Sequence, residues 1–164
     1  YAIRLLSKVS GKRLMTTKFN KFEIHSAFQS GKLNEPFFVD LPHLKPEHQV
    51  ALTTFLGKIT REEPLVGKNK PSWLNDNHQK IPGTDAYEEG NYWHYHCGPY
   101  SDSVKVRSMT YNLGFNAQGL TSKEVIHYQK LEDGTVLVVG FSPIHEPFPR
   151  SDEPHHNPLF TSEE

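Results

Sequence analysis

A chain of 164 residues, 35% hydrophobic and 12% aromatic, is sized for one domain with much of its core volume in Phe, Tyr and Trp. The formal charge of −1 hides an uneven distribution: residues 1–32 carry seven basic groups (Arg4, Lys8, Lys12, Arg13, Lys18, Lys21, Lys32) against Glu23, while residues 151–164 carry four acids and no base. The basic end suits a polyanion. The single cysteine, Cys97, excludes an internal disulfide and a cysteine-built zinc site; with no bilayer-length apolar run and no signal-peptide core, the expectation is a cytoplasmic protein with no membrane association.

Tyr1 in place of Met predicts a processed or trimmed chain. Residues 2–9 predict a first strand, with Gly11 and Lys12-Arg13 as its exit. The spacing of Phe19, Phe22 and Phe28 predicts a helix across residues 16–30, with Gly31 just past its end. Residues 34–43, with two prolines, read as an irregular connection. The best helix begins near Pro46, whose fixed φ suits a first helical position, and runs to about Arg61 with Leu52, Phe55, Leu56 and Ile59 on one stripe. Residues 64–90, rich in Pro and Gly with Lys68, Lys70 and Lys80 among them, read as a long loop, functional or disordered.

Residues 92–97 alternate His94 and His96 with Trp93 and Tyr95, so a strand there sets the histidines on one face and the large aromatics on the other. Trp93 and Cys97 then read as core residues, the thiol as a small hydrophobe rather than a nucleophile. Gly98-Pro99 stops the strand, and residues 100–120 form a polar excursion with a short strand around 104–107. Residues 125–130 and 135–141, joined through Asp133-Gly134, give the strongest hairpin signal, and the apolar run Val136-Leu137-Val138-Val139 belongs inside the sheet. The sum is an α+β fold, helices packed on one face of a small, mainly antiparallel sheet with the other face free to bind. A single domain over residues 1–150 is followed by a mobile acidic tail, 151–164.

Four histidines, His94, His96, His127 and His145, fall on or just beyond these strands. Imidazole titrates near neutrality and also ligates metals, so their convergence suits proton transfer or ion binding; a solvated sheet surface is the plain alternative. Strand register decides, because a one-residue slip sends His127 to the opposite side. A metal reading resembles the His-x-His of cupin barrels, although no glutamate follows His96 at the short spacing of that family and too few strands are evident for a double-sheet barrel. Neither a nucleophile elbow nor a phosphate loop is present.

A helical first half, a strand of the form x-Trp-x-Tyr-x-x-Gly and a hairpin ending in Val-Leu-Val-Val-Gly-Phe resemble the RelE/ParE superfamily of bacterial toxins. Residues 22–40 (Phe22-Glu-Ile-His-Ser-Ala-Phe-Gln-Ser-Gly-Lys-Leu-Asn-Glu-Pro-Phe-Phe-Val-Asp40) are similar to the early part of its YafO-like branch, and residues 92–98 and 120–145 to that branch's later strands. The resemblance implies a type II toxin that cleaves mRNA on the ribosome and is silenced by a cognate antitoxin. It implies no cofactor or metal, with His94, His96, His127 and His145 as acid–base groups. Arg107, Lys123 and Arg150 would then contact phosphate, and Tyr128 would stack on a base. Two other outcomes are a small metal-binding β protein using His94 and His96, and a noncatalytic binding module on the same fold.

Overall fold

The computed structural model describes residues 17–101, 103–145 and 157–159. Along the chain lie β1 (Lys21–Ile24), α1 (Ser26–Ser30), a 3-10 turn (Leu41–His43), α2 (Pro46–Thr60), β2 (Asn69–Pro71), α3 (Asp85–Glu89), β3 (Tyr92–His96), β4 (Val125–Lys130) and β5 (Thr135–Ser142). The strands form one open five-stranded sheet in the order β1-β5-β4-β3-β2, with β1 parallel to β5 and every other pair antiparallel. The fold is α+β, and no helix among the described residues is long and apolar enough to cross a membrane.

The hairpin forms where Asp-Gly demands it. Gly134 takes a φ of +91°, open to residues without a β-carbon, and the Asp133 carboxylate accepts from the Thr135 amide at 3.0 Å. The β-branched run that follows is paired on both edges, with β1 and with β4. On one side of the sheet α2 buries Leu52, Phe55, Leu56 and Ile59 against Tyr95, Ile126, Tyr128, Val136, Val138 and Phe141. Phe55 stacks on Tyr95 with ring centroids 5.0 Å apart and tilts against Tyr128 at 5.6 Å. Burying each such side chain contributes about 1.5–3 kcal/mol, so this face carries most of the fold's stability.

Trp93 packs against the edge of the same core and donates to the Asn91 side chain at 2.9 Å, as a core aromatic should. Lys130 sits 3.9 Å from its ring centroid and 4.8 Å from that of Phe19, and donates to the Leu113 carbonyl at 2.8 Å. Burial pushes the Lys130 ammonium down to about 8.

β2 is held by its surroundings rather than by its own length. Its outer edge exchanges hydrogen bonds with the 110–120 excursion: Asn69 with Asn116 in both directions, and the Lys68 amide with Leu120. The buried Asn69 side chain donates to the carbonyls of Leu113 and Gly114 at 3.0 Å each and accepts from Tyr128 at 2.6 Å. Just before it the chains approach so closely that a β-carbon on Gly67 would lie 2.1 Å from the His96 carbonyl oxygen. These contacts fix Lys68 and Lys70 beside β3.

Three local expectations are corrected. Residues 16–30 do not form one helix, because Lys21–Ile24 pairs in parallel with β5 and only Ser26–Ser30 is helical, its start capped by the His25 ring accepting from the Ala27 amide at 3.0 Å. The 64–90 loop contains β2 and α3. No strand forms around 104–107, where Val104 and Val106 are exposed. The strand expected over residues 2–9 lies outside the described residues. In the acidic tail, Asn157 is buried and donates to the Tyr87 hydroxyl at 2.6 Å, so residues 157–159 pack on the body of the fold.

Candidate functional site

Strand alternation delivers the histidines to the face opposite α2. His94 pairs directly with His127 across β3 and β4, so these two share that face with His96, and Lys70 pairs with His94 from β2. His145, just beyond β5, folds back over the group. Ring centroids are 5.6 Å apart for His94 and His96, 5.4 Å for His94 and His145, and 5.0 Å for His96 and His145. The His94 and His145 rings are stacked, and the ring nitrogens of the three offer one atom each within 4.8 Å of one another.

They line a recess of about 440 Å³ together with Lys68, Lys70, Thr121, Ser122 and Lys123. No carboxylate lines it among the described residues. The side chains of Lys68 and Lys70 are only 14% and 13% exposed, and both reach Asp76, at 2.9 and 2.6 Å. One carboxylate between two ammonium groups leaves a net positive charge at the wall of the recess, and Lys123 adds to it from an exposed position.

Three of the four rings are oriented by an oxygen. The His96 Nδ1–H donates to the Ser122 carbonyl at 2.8 Å, which fixes the tautomer whose Nε2 carries the lone pair. His94 Nδ1 is bonded to the Ser72 hydroxyl at 3.0 Å. His127 Nε2 is bonded to the Ser142 hydroxyl at 2.6 Å, with its ring against Phe38. Burial holds the His94 imidazolium well below the ordinary histidine range, helped by the neighbouring His96, His145, His127 and Lys70. Burial takes His96 down to about 4 against the raising effect of the Ser122 carbonyl, and His127 down to about 3. Burial also lowers His145, with Lys70 and Lys68 adding to it.

The expected site residues divide. His94, His96, His145 and Lys123 meet in the recess. His127 stands behind it, 1% exposed and outside the lining, where it supports His94 across the strand pair. Tyr128 cannot stack on a base: it points the other way, is fully buried under Phe55, and its hydroxyl is spent on Asn69. Arg107 is exposed on the 103–109 stretch and does not line the recess. Arg150 lies outside the described residues. Burial raises the Cys97 thiol far above its ordinary value, which leaves it protonated and a poor nucleophile.

Sequence reasoning missed Lys68, Lys70, Ser72 and Ser122 as site residues. The available signal was the alternation Lys68-Asn69-Lys70 ahead of Pro71, a strand-period pattern inside a segment read as loop. No family description, curated protein or solved structure matches the chain.

Proposed function

We propose that the chain is the toxin of a type II toxin–antitoxin pair, a RelE/ParE-like endoribonuclease that acts in the cytoplasm on mRNA held by the ribosome. The observation that carries this reading is the composition of the recess: three imidazoles beside three lysines, with no carboxylate among the described residues that line it. Such a wall attracts an anion and supplies proton-transfer groups at the same place, which is what cleaving an RNA phosphodiester requires.

In this chemistry the ribose 2′-oxygen attacks the adjacent phosphorus. His96 Nε2, presented by the Nδ1–H bond to Ser122, takes the 2′-hydroxyl proton as the O2′–P bond forms. His145, at the rim, gives a proton to the 5′-oxygen as the P–O5′ bond breaks, leaving a 2′,3′-cyclic phosphate and a 5′-hydroxyl. The negative charge of the bound phosphodiester lets His145 hold that proton against burial and against Lys70 and Lys68. Lys68, Lys70 and Lys123 stabilise the charge that grows on the phosphorane oxygens. His94, stacked on His145 and tied to Ser72, positions the pair.

Expression of the chain without a partner is expected to arrest growth and shorten transcripts under translation. His145→Ala is expected to relieve both while leaving the melting temperature of the purified protein unchanged, because the residue lies beyond the last strand. Normal growth with the unchanged chain, or arrest that persists in the variant, contradicts the reading.

A further inference from the structure

We propose that His94, His96 and His145 also form a three-imidazole site for a divalent transition-metal ion of the zinc class, whose fourth position opens toward Lys68 and Lys70 and takes an oxyanion. Three imidazoles with one position left open are the ligand set of an open tetrahedral zinc site. Three nitrogens within 4.8 Å of one another come from two strand positions and one residue beyond the sheet. Zinc bonds of about 2.0–2.1 Å place tetrahedral neighbours about 3.3 Å apart, so closure asks for an adjustment on the order of 1 Å. His145, the least buried of the three, is the ring able to make it.

The outer partners are those a metal-ligating histidine uses. Ser122 accepts from the Nδ1–H of His96 and Ser72 bonds Nδ1 of His94, an arrangement that directs Nε2 of each ring toward the recess. Lys68 and Lys70 would repel a bare cation, but Asp76 offsets one of their charges and an oxyanion on the metal meets the other. This is a recess for a cation and an anion together.

Metal binding does not rest on the nuclease reading, but it has a consequence for it. An imidazole nitrogen whose lone pair is held by a metal cannot take a proton, so on that reading bound zinc blocks cleavage. The test is calorimetric titration of the full chain with Zn²⁺ in phosphate-free buffer, together with the visible spectrum of the Co²⁺-loaded protein. One equivalent bound at micromolar affinity or tighter, with four-coordinate Co²⁺ bands, is expected. His145→Ala and His145→Gln are each expected to weaken binding at least tenfold with the metal-free melting temperature unchanged. A chain carrying His155→Ala and His156→Ala is expected to bind like the original, which separates the triad from the adjacent histidine pair of the tail. Absence of stoichiometric binding, binding by either His145 variant as tight as by the original chain, or loss of binding in the tail variant overturns the proposal.

Discussion

Tyr95, Ile126, Tyr128, Val138 and Phe141 face α2, whereas their strand neighbours His94, His96, His127 and Ser142 face the other way; the same three strands thus build two surfaces from neighbouring residues, with β5 changing phase where the register shifts opposite His127 and Tyr128. The first is satisfied by burial, ring against ring. The second is satisfied one oriented hydrogen bond at a time, through Ser72, Ser122 and Ser142. Stability and chemistry are therefore separable at a period of two residues, and damage to one face should spare the other.

The largest expected effect on folding is on the α2 face. Phe55→Ala removes a ring stacked on Tyr95 and packed on Tyr128 and should cost about 3–5 kcal/mol, read as a fall in the denaturation midpoint. RNA cleavage per folded molecule should be unchanged; a proportionate loss of activity would erase the distinction between the faces.

Acid comes next, and it strikes the histidine face. His96 and His127 have folded values of about 4 and about 3 against an ordinary 6.5, so the unfolded chain binds more protons between those limits. Their contribution is fully present above pH 6.5 and falls as pH drops toward the folded values, by about 1.4 kcal/mol per pH unit per group. Urea denaturation at pH 7.0 and 5.5 should show this loss, and His127→Leu, which deletes one of the lowered groups, should make it smaller.

Asn69→Ala tests the junction between the faces. It leaves the buried Tyr128 hydroxyl and the Gly114 carbonyl without the Asn69 side chain, while the Leu113 carbonyl keeps Lys130, and should cost about 2–3 kcal/mol. Because β2 also places Lys68 and Lys70, both stability and RNA affinity should fall, unlike in the single-face variants. The smallest effect belongs to Lys123→Ala: stability should change within about 0.5 kcal/mol, since the residue is exposed, and RNA cleavage should weaken several-fold and less so at high salt.

Much of this plan is visible in the sequence where the signal is local. Pro46 with its stripe gives α2, and Asp133-Gly134 between β-rich runs gives the hairpin. The alternation of residues 92–97 gives the histidine face. β1 was hidden because Phe19, Phe22 and Phe28 fit a helical spacing as well, and only pairing with the distant β5 makes Lys21–Ile24 a strand. β2 was hidden because three residues ending in proline are held by the excursion at 110–120 rather than by their own propensity. Tyr128 as a stacking group and His127 as a neighbour of His94 were incompatible from the start. Adjacent residues on a strand face opposite ways, and the cross-strand pairing settles which is which.

Adding the purified chain to a translation reaction and mapping the ends of the transcript reads the chemistry of the recess directly. Cuts bearing a 2′,3′-cyclic phosphate are expected, blocked by a 2′-deoxyribose at the scissile position and slowed at least 100-fold by His96→Gln, in line with the usual worth of a general base. An intact transcript, cutting that ignores the 2′-deoxy substitution, or equal cutting by His96→Gln would contradict that chemistry.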